Sequence, residues 1–237
     1  MYRAFGKRLL DLCIVIPALI LLSPLLLIIA LLIKSKMGSP ALFRQERAGQ
    51  YGQPFFLLKF RTMRDDRDAA GKLLPDPQRI TPLGRFLRSS SLDELPGLFN
   101  VLRGEMSLIG PRPLLMKYLD RYTPEQRRRQ EVKPGIAGLP ALSGRSEQSW
   151  ESILEQDVRY VDQISFWLDL RIIMGVLIVV ITRQGVQRSA DGLVPEFLGS
   201  PSPRRSAVGK RPWMAYPPRL RSKRLDAPRT RRPPLAH

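Results

Sequence analysis

One cysteine, Cys13, and one histidine, His237, are all that the 237 residues hold of those two types. A single cysteine excludes an internal disulfide, in keeping with a reducing compartment. The two counts together exclude a zinc site of Cys and His ligands. Histidine catalysis would fall to the last residue, where chains are seldom held in place. Chemistry is left to Asp, Glu, Lys, Arg, Ser or Tyr, with a hard metal bound through oxygen. Acids are scarce as well: 21 Asp and Glu face 39 Lys and Arg, a net charge of +18. Such an excess calls for a polyanionic partner, whether nucleic acid, an anionic membrane surface or phosphorylated substrates. The length is enough for one domain with a core of its own.

Residues 9–33 form an apolar run broken by little except Asp11. Its length suits a membrane helix, and no small-residue cleavage pattern of a signal peptide follows it. Pro17 and Ser23-Pro24 interrupt it, and a proline inside a helix removes a hydrogen bond and kinks it. Arg3, Lys7 and Arg8 precede the run, and Lys34 and Lys36 follow it. A simple span favours basic residues on one side only. Flanks of equal charge suit a helix that enters, bends at Ser23-Pro24 and returns to the same face. A single kinked span fits the residues equally well.

Beyond the run, Ala41-Leu42-Phe43 and Phe55-Phe56-Leu57-Leu58 flank a turn-rich stretch, which predicts a β-hairpin. Residues 65–78 read as a polar loop. Thr81-Pro82 predicts a helix start, with Thr as cap and Pro at the first helical position. A second short helix is expected from Ser91, with Leu92, Leu95, Phe99 and Leu102 as its apolar stripe. Helices are expected over 114–131, ending in Arg127, Arg128 and Arg129, and over 150–164, the latter solvated. Residues 134–149 read as loop. The apolar helix expected at 166–183 is too short to span, so it belongs to an interface or a core. From about residue 199 the composition changes, with 11 Lys and Arg against the single acid Asp226, and eight prolines. Such a segment resists folding.

Ser91-Leu92-Asp93-Glu94 matches a capping box, the plainer reading of those four residues. A helix N-terminus also binds phosphate, and a carboxylate there can attack phosphorus or hold Mg²⁺. Arg85 and Arg88 lie upstream on one helical face. Downstream, two prolines stiffen the backbone around Arg112, whose fork suits bidentate phosphate contact. Lys59 and Arg61 add cations among apolar residues. Each of these cations could also be a solvated surface charge. Together they describe carboxylates ringed by cations, which suits a diphosphate substrate with a metal.

Here the chain resembles a known family, the monotopic polyprenol-phosphate phosphoglycosyl transferases among the bacterial sugar transferases. The resemblance runs from about residue 5 to 198. It rests on Lys7-Arg8-Leu9-Leu10-Asp11, Ser23-Pro24, Phe43-Arg44-Gln45-Glu46-Arg47, Lys59-Phe60-Arg61-Thr62-Met63 and Thr81-Pro82-Leu83-Gly84-Arg85-Phe86-Leu87-Arg88. Its strongest segments are Ser91-Leu92-Asp93-Glu94-Leu95-Pro96, Asn100-Val101-Leu102-Arg103-Gly104-Glu105-Met106-Ser107-Leu108 and Gly110-Pro111-Arg112-Pro113. The chain is most similar to the short members, which have one membrane hairpin and a catalytic domain. Two departures stand out. Leu139-Pro140-Ala141-Leu142 replaces the tryptophan and Gln-Val that usually follow the Pro134-to-Gly138 turn, and Gly144-Arg145-Ser146 replaces Gly-Arg-Asn.

The resemblance implies a mostly helical α+β fold: a re-entrant membrane helix hairpin at 1–36 and a small cytoplasmic catalytic domain at 37–198 with a short β-hairpin and interfacial amphipathic helices. The basic tail at 199–237, read from its composition, matches nothing expected in the family. The resemblance also implies that Ser23 and Pro24 break the membrane helix and that Lys7 and Arg8 anchor it at anionic lipid headgroups. Asp93 would be the nucleophile, and Glu94 would hold Mg²⁺ or assist proton transfer. Lys59, Arg88 and Arg112 would bind phosphate, and Arg145 the nucleotide or sugar. The implied reaction moves a sugar-1-phosphate from a UDP-sugar to undecaprenyl phosphate at the bacterial inner membrane. The short members point to an N-acetylated amino sugar, and the product would serve downstream glycosyltransferases. No nucleic-acid partner is expected. Two other readings remain open from the residues: a membrane-anchored nucleic-acid binder and a catalytically degenerate membrane scaffold.

Overall fold

The computed structural model describes residues 2–143, 148–182 and 196–200. Arg145 and the basic tail beyond residue 200 lie outside the described residues. The chain is mostly helical, with one long apolar helix near its N-terminus and little sheet.

A π-helical turn, Tyr2–Gly6, leads into helix α1, Lys7–Met37. Among the described residues, α1 alone is long and apolar enough to cross a membrane. Pro17 and Pro24 lie inside it. Pro24 has no N–H to offer the carbonyl one turn back, which belongs to Ile20. Ser23 repairs the loss, its hydroxyl donating to the Ile20 carbonyl at 2.8 Å. The Ser-Pro pair therefore holds a helix together where proline alone would leave an orphaned acceptor in an apolar setting.

Strands β1, Leu42–Ala48, and β2, Pro54–Phe60, pair antiparallel from Leu42 with Phe60 to Ala48 with Pro54. The expected hairpin is present. Its turn needs left-handed backbone, supplied by Tyr51 and Gly52. A short helix α2, Asp76–Arg79, closes the polar loop. Helix α3, Pro82–Ser89, starts as its sequence predicts, with the Thr81 hydroxyl accepting from the Gly84 N–H at 2.9 Å.

Helix α4 spans Gly97–Arg103, so the helix expected from Ser91 begins only after Pro96. The later start turns a different face inward. Leu98, Asn100 and Val101 are buried, whereas Phe99 and Leu102 of the expected stripe are exposed. Strand β3, Ser107–Ile109, follows.

The helix expected over 114–131 is broken into a 3-10 segment, Met116–Arg121, a single turn α5, Pro124–Arg127, and a second 3-10 segment, Arg128–Glu131. Pro124 drives Thr123 into extended backbone, and Thr123 with Gln126 forms a capping box that restarts the helix. Strand β4, Gly135–Ala137, lies where loop was expected and pairs parallel with β3. The pairing needs two bare backbones, since a Cβ on Gly135 would sit 2.1 Å from the Gly110 nitrogen.

Helices α6, Trp150–Gln163, and α7, Phe166–Thr182, complete the body. Helix α6 is less solvated than its composition predicts, burying Leu154, Val158, Tyr160 and Val161 against the rest of the domain.

Both halves of α1 pack on this body. Leu26, Ile29, Ile33 and Met37 join Ala41, Phe60 and Leu87 in one cluster, and Val15 joins Phe55, Leu57, Leu98 and Val101 in another. Leu9, Ile20, Leu21, Leu27 and Ile28 face outward. Polar bonds fix the N-terminal half. Asp11, only an interruption of the apolar run in the sequence, is buried and accepts from the Ser107 hydroxyl at 3.0 Å and the Leu108 N–H at 2.9 Å. Arg8 donates to the carbonyls of Val101 at 2.5 Å and Leu102 at 2.8 Å, satisfying the end of α4 where a cation also suits the helix dipole.

Asp169, on α7, is fully buried and accepts from Lys7 at 2.7 Å, Tyr2 at 2.5 Å and Tyr160 at 2.6 Å. Asp169→Asn leaves the Lys7 ammonium without its counter-charge in a site where Lys7 is only 12% exposed. A loss of about 3 kcal/mol in unfolding free energy is expected. A denaturant titration of the detergent-solubilised protein reads it.

Candidate active site

Asp93 and Glu94 sit in a three-residue 3-10 turn, Leu92–Glu94, between α3 and α4. The residue before it, Ser91, adopts φ 58° and ψ 15°. Left-handed backbone at a serine is strained, and strain of this kind gathers at functional sites. The same conformation cancels the capping box that the sequence predicts: the Ser91 side chain makes no capping bond. Glu94 is turned to other partners. Its Oε1 accepts from Lys59 Nζ at 2.7 Å and from Arg112 Nη2 at 2.8 Å. A carboxylate distant in sequence from both cations thus joins β2 to the Gly110-Pro111-Arg112-Pro113 loop.

The two neighbouring carboxylates are placed differently. Burial alone would push the Glu94 carboxyl up, but Arg112 and Lys59 outweigh it and hold the group at about 2. Among the described residues Asp93 forms no ion pair and no side-chain bond to another residue; its carboxyl accepts only from its own backbone N–H. Burial, then the like charge of Glu94, push its carboxyl above the usual aspartate range, with Lys59 and Arg88 pulling the other way. Asp93 is therefore the more basic of the two carboxylates. Arg88 reaches it only through space, its Nε donating to the Thr62 hydroxyl at 3.0 Å.

The supports of this site were not visible in the sequence. Asn100 is fully buried in α4. Its amide accepts from the Leu58 N–H at 3.0 Å and donates to the Phe56 carbonyl at 2.8 Å, fixing the strand that carries Lys59. Arg129, expected at the end of a helix, is 2% exposed and pairs with buried Asp157 through bonds of 2.9 and 2.7 Å. Its Nη2 also donates to the Arg112 carbonyl at 2.6 Å. The cleft between these parts is lined by Lys59, Glu94 and Arg112 with Arg47, Pro113 and Ile136.

Lys59, Glu94 and Arg112 are thus brought together, with Asp93 and Arg88 beside them, and Arg145 lies outside the described residues. Ser23 and Pro24 occur inside α1, away from the cleft. Lys7 and Arg8, assigned to lipid headgroups by the resemblance, make their bonds within the protein, to Asp169 and Tyr160 and to the end of α4.

A family model described as bacterial sugar transferase matches residues 2–183. The chain belongs to the bacterial sugar transferase family. It is 49% identical over 194 residues to the uncharacterized sugar transferase EpsL of Bacillus subtilis, covering 82% of this chain and 96% of that protein. It is 42% identical over 178 residues to a UDP-glucose:undecaprenyl-phosphate glucose-1-phosphate transferase of Caulobacter vibrioides, covering 71% of this chain and 67% of that one. An undecaprenyl-phosphate galactose phosphotransferase of Salmonella typhimurium is 37% identical over 199 residues, 76% of this chain but 41% of its own length. This bacterial sugar transferase therefore spans nearly all of one relative and less than half of another.

Among the described residues, no group of three or more His, Cys, Asp and Glu gathers as a metal cage. Adjacent Asp93 and Glu94 fit the way Mg²⁺ usually binds, through one or two carboxylates completed by substrate phosphates and water.

The low position of Glu94 has a measurable consequence for the sugar transferase. An acid held down in the folded state adds stability above its unfolded value, near 4.5, and loses it as pH falls towards about 2. Raised Asp93 acts with the opposite sign, so it works against this trend. Glu94→Gln is expected to flatten the loss of stability below pH 4.5. Denaturant midpoints measured at neutral and at acid pH check it, and parallel pH profiles for variant and wild type would refute it.

Proposed function

We propose that the protein transfers a sugar-1-phosphate from a UDP-sugar to undecaprenyl phosphate, releasing UMP and forming undecaprenyl-diphosphate-sugar, the first step of a surface glycan. The observation that carries this reading is the unpaired, raised carboxylate of Asp93 beside a Glu94 held between Lys59 and Arg112. A carboxylate free of ion pairs can attack phosphorus. Cations fixed around it stabilise the charge that develops there. The relatives' names suggest the substrates: UDP-glucose in Caulobacter vibrioides and galactose in Salmonella typhimurium, each with undecaprenyl phosphate.

In the proposed course, an Asp93 oxygen attacks the sugar-bearing phosphorus of the donor. The bond from that phosphorus to the UMP oxygen breaks, and UMP leaves with the electron pair. The sugar phosphate is then carried on Asp93 as an acyl phosphate. An oxygen of the lipid phosphate attacks the same phosphorus and returns Asp93 as a carboxylate. Lys59, Arg88 and Arg112 hold the phosphates against mutual repulsion. Mg²⁺, held by Glu94 with the substrate phosphates, would supply further neutralising charge.

We read α1 as a re-entrant membrane helix bent at Ser23-Pro24, with both ends and the catalytic domain on the cytoplasmic side of the bacterial inner membrane. Contacts at both ends support this reading. Arg8 binds the end of α4, and Met37 packs with Phe60 and Leu87 of the same body. A span with its ends on opposite sides of the bilayer would separate those contacts by about 30 Å of hydrocarbon. The site then lies at headgroup height, within reach of the lipid phosphate.

The donor panel begins with UDP-N-acetylated amino sugars, beside UDP-glucose and UDP-galactose. Purified protein in detergent, given Mg²⁺, undecaprenyl phosphate and each donor in turn, is expected to release UMP from one of them and to form a lipid-linked sugar. Folded protein that releases no UMP from any donor would refute the reading.

A further inference from the structure

Arg47 stands apart from the other cations of the cleft. Lys59 and Arg112 share the charge of Glu94. Arg88 lies where its charge acts on Asp93. Arg47 lines the same cleft from β1, half-buried, and among the described residues it pairs with no carboxylate. Its bonds go to neutral acceptors: from Nε and Nη2 to the Gln45 side-chain oxygen, and from Nη1 to the Pro113 carbonyl at 3.2 Å. A guanidinium has more N–H donors than these three bonds use. The bonds stiffen the side chain and hold it against the loop that carries Arg112. Burial and the like charge of Arg112 both work against its charged form. Arginine stays charged in such a place, so the site holds a cation that no carboxylate touches and that Glu94 favours only through space. Arg47, Lys59 and Arg112 thus line the cleft with the single carboxylate of Glu94, while Arg88 acts on Asp93 beside it.

We propose that Arg47 is a phosphate-binding residue, completing with Arg112 a two-arginine grip on a phosphate group seated against Pro113. The proposal rests on the phosphosugar-transfer reading above and adds a ligand contact to the same cleft. Two sources offer the phosphate: the diphosphate of the nucleotide sugar and the headgroup of the lipid acceptor. An anion seated between the two arginines would offset their mutual repulsion through charge-assisted bonds that salt screens, so binding and salt sensitivity are linked. The bland alternative is a tether, in which the bond to the Pro113 carbonyl merely joins β1 to the loop. A tether would affect stability and leave affinity alone.

The test measures binding without turnover. Calorimetric affinities for UDP, and for a soluble short-chain polyprenyl phosphate, are compared in wild type, Arg47→Gln and Arg47→Lys, beside melting temperatures. Arg47→Gln removes the charge and keeps an amide able to reach Pro113. It is expected to weaken one of the two ligands roughly tenfold or more at unchanged melting temperature. A loss confined to UDP assigns the nucleotide's diphosphate, and a loss confined to the lipid analogue assigns the acceptor. Arg47→Lys keeps the charge without the fork and should fall between the two, which keeps the test decisive if the Gln variant fails to fold. Wild-type affinity for both ligands in the folded variants overturns the proposal, as does a wild type that binds neither. UMP release by the wild type tests the overall reaction separately, so the two readings fail on different evidence.

Discussion

Asp93→Asn is expected to lower UMP release from the UDP-sugar by roughly 10⁴-fold or more, the scale seen when a catalytic nucleophile is removed. Two neighbouring carboxylates compete for the role of nucleophile, and their surroundings separate them. Glu94 has an oxygen committed to Lys59 and Arg112, and its carboxyl is held at about 2. A group so stabilised as an anion is a poor nucleophile, since basicity and nucleophilicity fall together. Asp93 has no such partners and is shifted the other way. Asn has the same shape and cannot form the acyl phosphate, so the fold should survive the change. The decisive assay omits the lipid. With Asp93 as nucleophile, radiolabelled UMP exchanges into the UDP-sugar without any acceptor, because the first displacement runs in both directions. Exchange should vanish in Asp93→Asn and persist, at a reduced rate, in Glu94→Gln. Exchange that survives in Asp93→Asn would leave the family assignment standing and remove the covalent route.

Local chemistry made some of this site legible. Thr81-Pro82 marks a helix start through bonds made within four residues, and the structure forms them. The β-hairpin is equally local, since its turn residues lie between the two runs they join. Lys59, Glu94 and Arg112 could be suspected from the clustering of cations around two acids, and they meet in space. Where local patterns competed with tertiary contacts, they lost. Ser91 matches a capping box in every residue, yet its backbone is left-handed and Glu94 turns to partners 35 and 18 residues away. Asp11, Arg129 and Asp169 were legible only as charges. Nothing in the period of a helix says that a charge will be buried, because its partner lies across the fold: Asp11 with Ser107, Arg129 with Asp157, Asp169 with Lys7. The left-handed Ser91 and the buried Arg129 depart from local expectation, and they adjoin Asp93 and Glu94 or hold the arginine that meets Glu94. Such conflicts between local preference and final structure are expected where function is built.

The second large effect is expected at that buried arginine. Arg129→Met leaves Asp157 as an unpaired carboxylate in a site where it is 1% exposed. Breaking a buried pair from one side costs about 3–5 kcal/mol, a large share of the stability of any domain. The loss of activity has a separate origin. Arg129 donates to the carbonyl of Arg112, whose own guanidinium meets Glu94. Without that bond the loop between its two prolines loses a fixed point, and Arg112 drifts from its place beside Glu94, where the proposed reaction needs it. A displacement of this kind lowers turnover by roughly 10²-fold. A second substitution separates the two effects. Pairing Arg129→Met with Asp157→Leu removes both charges, and an apolar replacement of a buried ion pair is often neutral or stabilising. The double variant should therefore regain most of the lost stability, read by denaturant titration. Its UMP release should stay low, because the Arg112 carbonyl still lacks its donor. Recovery of stability and turnover together would reduce the Arg129–Asp157 pair to a prop of the fold. Stability without turnover would make Arg129 a positioning residue that acts on substrate through Arg112.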